Sequence, residues 1–242
     1  MTQKVETDRQ IHRQTHAVRR PRMWPWFLLK ISALVPALAV LLLGAATVLP
    51  MPSTLMLWRF ATGESVSRTW VGLDRISPEL VRAVIASEDQ NYCSHRGIDL
   101  GALREVLSDE DGPQRGGSTI PMQTVKNVYL WHGRSYVRKA LELPLALAAD
   151  FLWSKRRTME IYLNVAELGE GLFGAEAAAQ RYFGKSAAGL NRREAAALAA
   201  ALPNPLLRNP ASPSLRARTN SFRIQQRMGG LGDRADCALA KG

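Results

Sequence analysis

Apolar residues follow two patterns along the chain. From Ile31 to Leu49 runs ISALVPALAVLLLGAATVL, an uncharged stretch. As a helix rising ~1.5 Å per residue it would cover ~28 Å, the hydrocarbon thickness of a bilayer. Pro36 within it is tolerated in membrane helices, where neighbouring groups satisfy the freed carbonyl. From residue 77 onward apolar positions recur at helical spacing. Ser77-Pro78-Glu79 joins an N-cap, a proline at the first helical position and a first-turn acid, and Leu80, Val81, Val84 and Ile85 form the stripe that follows. That predicts a helix ending near Asp89. Similar patterns predict helices over Asp99–Leu107, Pro121–Leu130, Ser135–Trp153, Thr158–Leu163, Gly174–Phe183, the Ala-rich Asn191–Leu202, and a basic helix over Ser214–Met228. No segment sustains apolar/polar alternation, so any strands are short and the fold class is mostly α. The four prolines of residues 203–213 mark an irregular connector, and the Gly-rich end from residue 231 reads as a flexible tail.

Charge gives the long apolar run an orientation. The chain has 242 residues and a formal charge of +11. Seven of its 32 basic residues and two of its 21 acidic ones precede residue 50, so the excess beyond that point falls to +6. The positive-inside rule places the basic tail (1–30) in the cytoplasm, makes 31–49 a transmembrane helix with Trp24, Trp26 and Phe27 at its interface, and puts the rest outside. A cleaved signal peptide is the weaker reading, because the apolar core exceeds the usual 7 to 15 residues and lacks a well-placed small-residue cleavage site. Residues 50–69 form a juxtamembrane segment in which LMLWRF (55–60) suits either the outer leaflet or a core. The domain proper is expected over 70–230. Cys93 and Cys237 are too few for a disulfide scaffold, and whether they pair is open.

Four blocks hold the candidate chemistry. SEDQNYCSHRGID (87–99) sets Glu88 and Asp89 at the negative end of an apolar helix, a placement suited to a base, with His95 able to pair with either acid. Glu88, His95 and Asp99 lack metal-ligand spacing. RGGSTIPMQTVKN (115–127) is a Gly-Gly turn with two hydroxyls, Ser118 and Thr119, leading into a helix with Lys126 two turns along. Its backbone N–H groups suit an anion, but it is no Walker loop. In GRSYVRKALE (133–142), Arg134, Arg138 and Lys139 crowd Glu142, with Arg138 and Glu142 also spaced for an i, i+4 ion pair. KRRTMEIYLNVAELGEGLFGAEAAAQRYFGK (155–185) is read mainly as packing and capping, with Glu160 and Asn164 supporting the site.

In this order AVIASEDQNYCSHRGID, GGSTIPMQTVKN, RSYVRKALE, MEIYLN with the following FGAEAAAQRYFGK, and EAAALAAALPNP resemble the monofunctional, membrane-anchored biosynthetic peptidoglycan glycosyltransferases. The resemblance covers roughly residues 70–210. It departs from the family pattern at Pro121 and Met122, which replace a hydroxyl residue and a glutamine; proline lacks an N–H and methionine cannot donate an amide hydrogen bond. The resemblance implies a lysozyme-like α-helical domain with a small membrane-facing lobe near residues 98–114, where Leu100, Leu103, Val106 and Leu107 are apolar. It implies polymerisation of lipid II, the lipid-linked disaccharide-peptide, into β-1,4 glycan with inversion and release of undecaprenyl pyrophosphate. Glu88 is then the general base and Glu142 the second catalytic acid, able to orient the cations or coordinate a divalent ion, while Ser118, Thr119, Gln123, Lys126, Arg134, Arg138 and Lys139 bind substrate, and Asp89, His95, Glu160 and Asn164 support the site. No cofactor is required. A divalent cation (Mg2+ or Mn2+) beside the pyrophosphate, held by Glu142, is the one metal chemistry left open. The implied location is the bacterial inner membrane with the catalytic domain periplasmic; the partners are the growing glycan, membrane lipids, transpeptidases and division or elongation proteins, not nucleic acid.

Two other readings stand beside this one. A lytic, lysozyme-type hydrolase shares the fold and a catalytic Glu, but leaves the cations after GGST unexplained. A catalytically impaired scaffold would treat Pro121 and Met122 as marks of lost activity. A built-in peptide-crosslinking domain is excluded, because no Ser-x-x-Lys or Lys-Thr-Gly motif occurs.

Overall fold

The computed structural model describes residues 34, 37–108, 117–133 and 135–240. The chain divides into two units, Met1–Leu42 and Leu43–Gly242. In the first, described residues 37–42 are helical. The expected basic tail lies outside the described residues, as do positions 31–33, 35 and 36 of the expected span. Among the described residues no helix is long and apolar enough to cross a membrane.

The second unit is mostly helical with one small sheet. Its elements are α1 (Thr54–Ala61), β1 (Ser67–Arg68), α2 (Pro78–Glu88), α3 (Leu100–Ser108), α4 (Ile120–Tyr129), α5 (Tyr136–Leu152) and α6 (Lys155–Val165). There follow β2 (Glu167–Gly169), β3 (Leu172–Phe173), α7 (Ala175–Phe183), α8 (Arg192–Ala201), α9 (Leu215–Gly229) and α10 (Asp236–Leu239). The sheet runs β1-β3-β2, with β1 parallel and β2 antiparallel to β3.

The helix starts follow from local chemistry. Side chains of Ser77, Thr119, Ser135, Ser154, Asn191 and Ser214 cap α2, α4, α5, α6, α8 and α9 by accepting from backbone N–H groups of the first turn. Pro121 sits in the first turn of α4, where its missing N–H costs nothing. α6 runs from Lys155 to Val165, longer than the Thr158–Leu163 expected, because Ser154 opens it a turn earlier.

Two apolar clusters share a partition made by α4 and α6. Ile120, Met159 and Tyr162 face the first cluster, with α2 and the alanine-rich faces of α7 and α8. Met122, Val125, Ile161 and Val165 face the second, with Met56, Ala146, Ala149 and Trp153. Alanine suits the first cluster because α8 packs closely on both α2 and α9.

Segment 50–69 is built into this fold rather than lying apart from it. Met56 of α1 is buried, β1 joins the sheet, and Arg59 pairs with Glu64 and Glu167. Leu57, Trp58 and Phe60 of the same helix are exposed, so LMLWRF divides between core and solvent instead of choosing one. The expectation of a flexible tail from 231 is corrected over the described residues. Leu231, Ala235 and Ala238 are buried, Gly232–Ala235 forms a 3-10 turn into α10, and Cys237 is disulfide-bonded to Cys93 across 144 positions. A link closing a loop of that length removes unfolded-chain entropy worth roughly 4–5 kcal/mol. Gly-rich composition near the end concealed a short apolar repeat that this bond pins to the core. Residues 109–114 of the expected membrane-facing lobe, and the side chain of Leu107, lie outside the described residues; of the others Leu100 is exposed.

Candidate active site

A cleft of about 1070 Å³ opens at the C-terminal end of α2. It is large for a small-molecule site, where ~300–1,000 Å³ is usual. Glu88, the last residue of α2, and its cap Asp89 line it beside Ser118, Thr119 and Gln123 from the start of α4. Five residues expected at the site from two distant blocks therefore meet at one surface.

Glu88 is half-buried and carries no ion pair among the described residues. Ser87 Oγ donates to its Oε1 at 2.9 Å, and Gln123 Nε2 donates to Oε2 at 3.1 Å. The Tyr162 hydroxyl donates to Gln123 Oε1 at 3.2 Å, which turns the amide so that its NH2 faces the carboxylate. Tyr162 is fully buried, and burial first, then the charges of Glu88 and Asp89, push its ionisation well above the ordinary tyrosine range. It therefore stays a donor. Gln123, expected to bind substrate, orients the candidate base through its bond to Glu88.

Asp89 is only 6% exposed. It accepts from the Ile120 N–H at 2.9 Å and meets His95 Nε2 at 2.9 Å, tying the first block to the opening of α4. His95 pairs with Asp89 alone of the two acids. The loop between them is held from outside: Lys155 Nζ donates to the His95 carbonyl at 2.7 Å, and Tyr92 donates to the Lys155 carbonyl at 2.7 Å. Gly97 lies at φ +75°, and a Cβ there would stand 2.6 Å from the Ala146 carbonyl oxygen, so only glycine fits. Thr119 Oγ1 donates to the Gly97 carbonyl at 2.6 Å while accepting the α4 cap, so its proton is committed within the fold.

The cations stand behind Ser118 rather than along the cleft wall. Lys139 Nζ donates to Ser118 Oγ at 2.6 Å and to Glu142 Oε2 at 2.9 Å, while Arg138 donates to Glu142 Oε1 and to the Gly133 carbonyl. Glu142 is 2% exposed with both oxygens taken by cations. Of the roles expected for this second acid, the ion pairs match that of orienting Arg138 and Lys139. That donor set does not fit a metal ion, and among the described residues no cluster of three acid, histidine or cysteine side chains is arranged to bind one. Arg134 lies outside the described residues. Lys126 makes no hydrogen bond or ion pair among the described residues. Burial, outweighing Glu142 and aided by Arg138 and Lys139, lowers its proton affinity below the ordinary lysine range.

Pro121 and Met122, where the sequence departs from the family pattern, are both buried, Met122 within the second cluster. Their side chains lie in the partition, away from the cleft. Glu160 accepts from the Leu73 N–H and from Arg157; Asn164 accepts from the Val71 N–H at 2.9 Å and donates to the Val71 carbonyl at 2.9 Å. Both tie α6 to the strand-to-α2 connection at a distance from Glu88.

Sequence reasoning missed two features. Tyr162 was read as packing, and only the crossing of α4 and α6 reveals its bond to Gln123. The second is the wall formed by Arg208 and by Arg216, Arg223 and Arg227 of α9. Its spacing was visible in the basic helix, but not the cleft it faces.

Comparison with known proteins agrees with this geometry. A family model described as "Transglycosylase" matches residues 56–229. A protein from Rhizobium meliloti (strain 1021) is 50% identical over 227 residues, covering 93% of this chain and 95% of its own. One from Brucella suis biovar 1 (strain 1330) is 52% identical over 77% of this chain and 84% of its own. One from Rhodopseudomonas palustris (strain TIE-1) is 57% identical over 66% of this chain and 70% of its own. Each is named biosynthetic peptidoglycan transglycosylase.

Proposed function

Since the chain belongs to the transglycosylase family, we propose that it is a peptidoglycan glycosyltransferase which joins lipid II units into β-1,4 glycan strands and releases undecaprenyl pyrophosphate. The observation that carries this reading is the Glu88 carboxylate in the cleft, oriented by Gln123 and without a counter-ion among the described residues. Its oxygens each retain an acceptor site beyond the bonds from Ser87 and Gln123. Glu88 takes the proton of the acceptor sugar's 4-hydroxyl as that oxygen attacks the donor's anomeric carbon. The bond to pyrophosphate breaks on the opposite face, so configuration inverts.

Pyrophosphate leaves as an anion, so positive charge matters more than a second proton donor. Lys126 supplies a compact charge, unpaired among the described residues, and Arg138 and Lys139, oriented by Glu142, add to it. Arg138 and Lys139 flank Glu142, a cationic setting that does not suit a divalent ion, so no step is routed through one. A lipid-tethered substrate requires the cleft to stay at a membrane. The apolar run 31–49 supplies the anchor with the N-terminus cytoplasmic, exposed Trp58 and Phe60 suit the lipid surface, and the Cys93–Cys237 bond suits an oxidising periplasm. Crosslinking then falls to separate transpeptidases of the division or elongation machinery.

Purified full-length protein given lipid II should yield glycan polymer. Glu88→Gln should lower the rate by ~10² to 10⁴ with an unchanged melting curve, as loss of a general base does. Soluble fragments from finished cell wall would instead identify a hydrolase. Precursor binding without turnover would identify a scaffold.

A further inference from the structure

α9 presents two faces of different character. Ser221, Ile224 and Met228 are buried and pack toward α8 and α2. Arg216, Asn220, Arg223 and Arg227, spaced four, three and four residues apart, form another stripe, and all four line the cleft that holds Glu88. The helix and its cap contain no acid. Among the described residues the guanidinium groups of Arg216, Arg223 and Arg227 make no hydrogen bond or ion pair, and all three side chains are exposed. Arg208 extends the wall from the connector, anchored to the Ala200 carbonyl at 2.8 Å. The cleft's acids are committed elsewhere in part: Asp99 accepts from Asn91 and from the Ala102 N–H.

Unpaired arginines along a substrate cleft call for anionic oxygens, and two parts of the proposed substrate carry them: the diphosphate and the carboxylates of the stem peptide. Extent separates these sources. From Arg216 to Arg227 the stripe spans ~16 Å of helix. A diphosphate is one compact anion, for which Lys126, Arg138 and Lys139 are the partners proposed above. A peptide branching from the sugar is extended and bears separate carboxylates, which the planar guanidinium binds with two parallel hydrogen bonds. We propose that the arginine stripe of α9 is a subsite for the stem-peptide carboxylates of a glycan unit bound in the cleft. The proposal rests on the polymerase reading above. It makes α9 a specificity element that distinguishes intact precursor from precursor whose stem carboxylates are masked.

The test uses full-length protein in detergent and two lipid-linked disaccharide probes, one with a complete stem peptide and one with its carboxylates amidated. Wild-type protein should bind the amidated probe about tenfold more weakly. The double variant Arg223→Gln/Arg227→Gln should bind the intact probe about tenfold more weakly than wild type, yet match wild type on the amidated probe. Arg193→Gln, an exposed cation on α8 outside the cleft, should change neither. Equal weakening on both probes assigns the stripe to the diphosphate and overturns the proposal, as does an unchanged affinity for the intact probe. A wild-type protein that binds but forms no polymer overturns the polymerase reading, while the two-probe binding comparison still decides the role of the stripe.

Discussion

The cleft has two walls that treat polar groups in opposite ways. On the α2–α4 wall almost every polar atom has a partner within the chain: Asp89 with His95 and the Ile120 N–H, Thr119 with the Gly97 carbonyl, Ser118 with Lys139, Gln123 with both Tyr162 and Glu88. On the α9 wall the guanidinium groups of Arg216, Arg223 and Arg227 meet only solvent among the described residues. The cause is burial. A polar group out of water must be paired or the fold loses ~1–3 kcal/mol for it, whereas an exposed guanidinium stays solvated at no such cost. The first wall is therefore set before substrate arrives, and the second is left for substrate to complete. Lys126 stands between these cases, largely buried yet unpaired among the described residues, and in the proposed function it is the charge that meets the diphosphate.

If that contrast is right, substitutions on the two walls should separate stability from binding. Asp89→Ala strands the Ile120 N–H and the His95 ring inside the protein, so it should cost about 3–5 kcal/mol in denaturant unfolding. The Arg223→Gln/Arg227→Gln pair should leave the same unfolding curve unmoved while weakening binding. Comparable destabilisation by both would erase the distinction. Tyr162→Phe removes only the bond that orients Gln123, worth ~0.5–1.5 kcal/mol. It should therefore lower kcat by up to about tenfold with little change in KM, a split that packing damage alone would not produce.

The smallest effect concerns pH. Because burial and the neighbouring cations Arg138 and Lys139 hold the Lys126 ammonium below the ordinary lysine range, it loses its proton earlier as pH rises. A pyrophosphate-binding charge is lost with that proton, so kcat/KM should fall on the alkaline side before a normal lysine would titrate. Lys126→Arg retains a charge throughout and should move that limb upward. An alkaline limb unchanged in this variant would remove Lys126 from the titration.

Helices were the most legible part of the fold, because their signals are local. Ser77-Pro78-Glu79 at α2 and Ser135 at α5 mark starts through bonds made within one turn. The end at Asp89 was equally plain. Segment 231–240 was misread because its order derives from Cys93, far away in the chain, and from burial of Leu231, Ala235 and Ala238. α1 was ambiguous for a similar reason. Its apolar residues divide between Met56, which has a core to enter, and Trp58 and Phe60, which do not.

For the site, the sequence by itself determined which residue types were present and in what order. It supplied the acids at the end of α2, the hydroxyls before α4, the cations around Glu142, and the membership of a family. Only the tertiary structure decided what each of them touches. Glu88 and Glu142 are both acids in family blocks, but one faces a cleft and the other is buried between two cations. Gln123 and Thr119 share a block, but one reaches Glu88 and the other is spent on Gly97. The physical reason is that residue type limits the bonds a group is able to make, while partner and solvent access depend on elements brought together from distant parts of the chain.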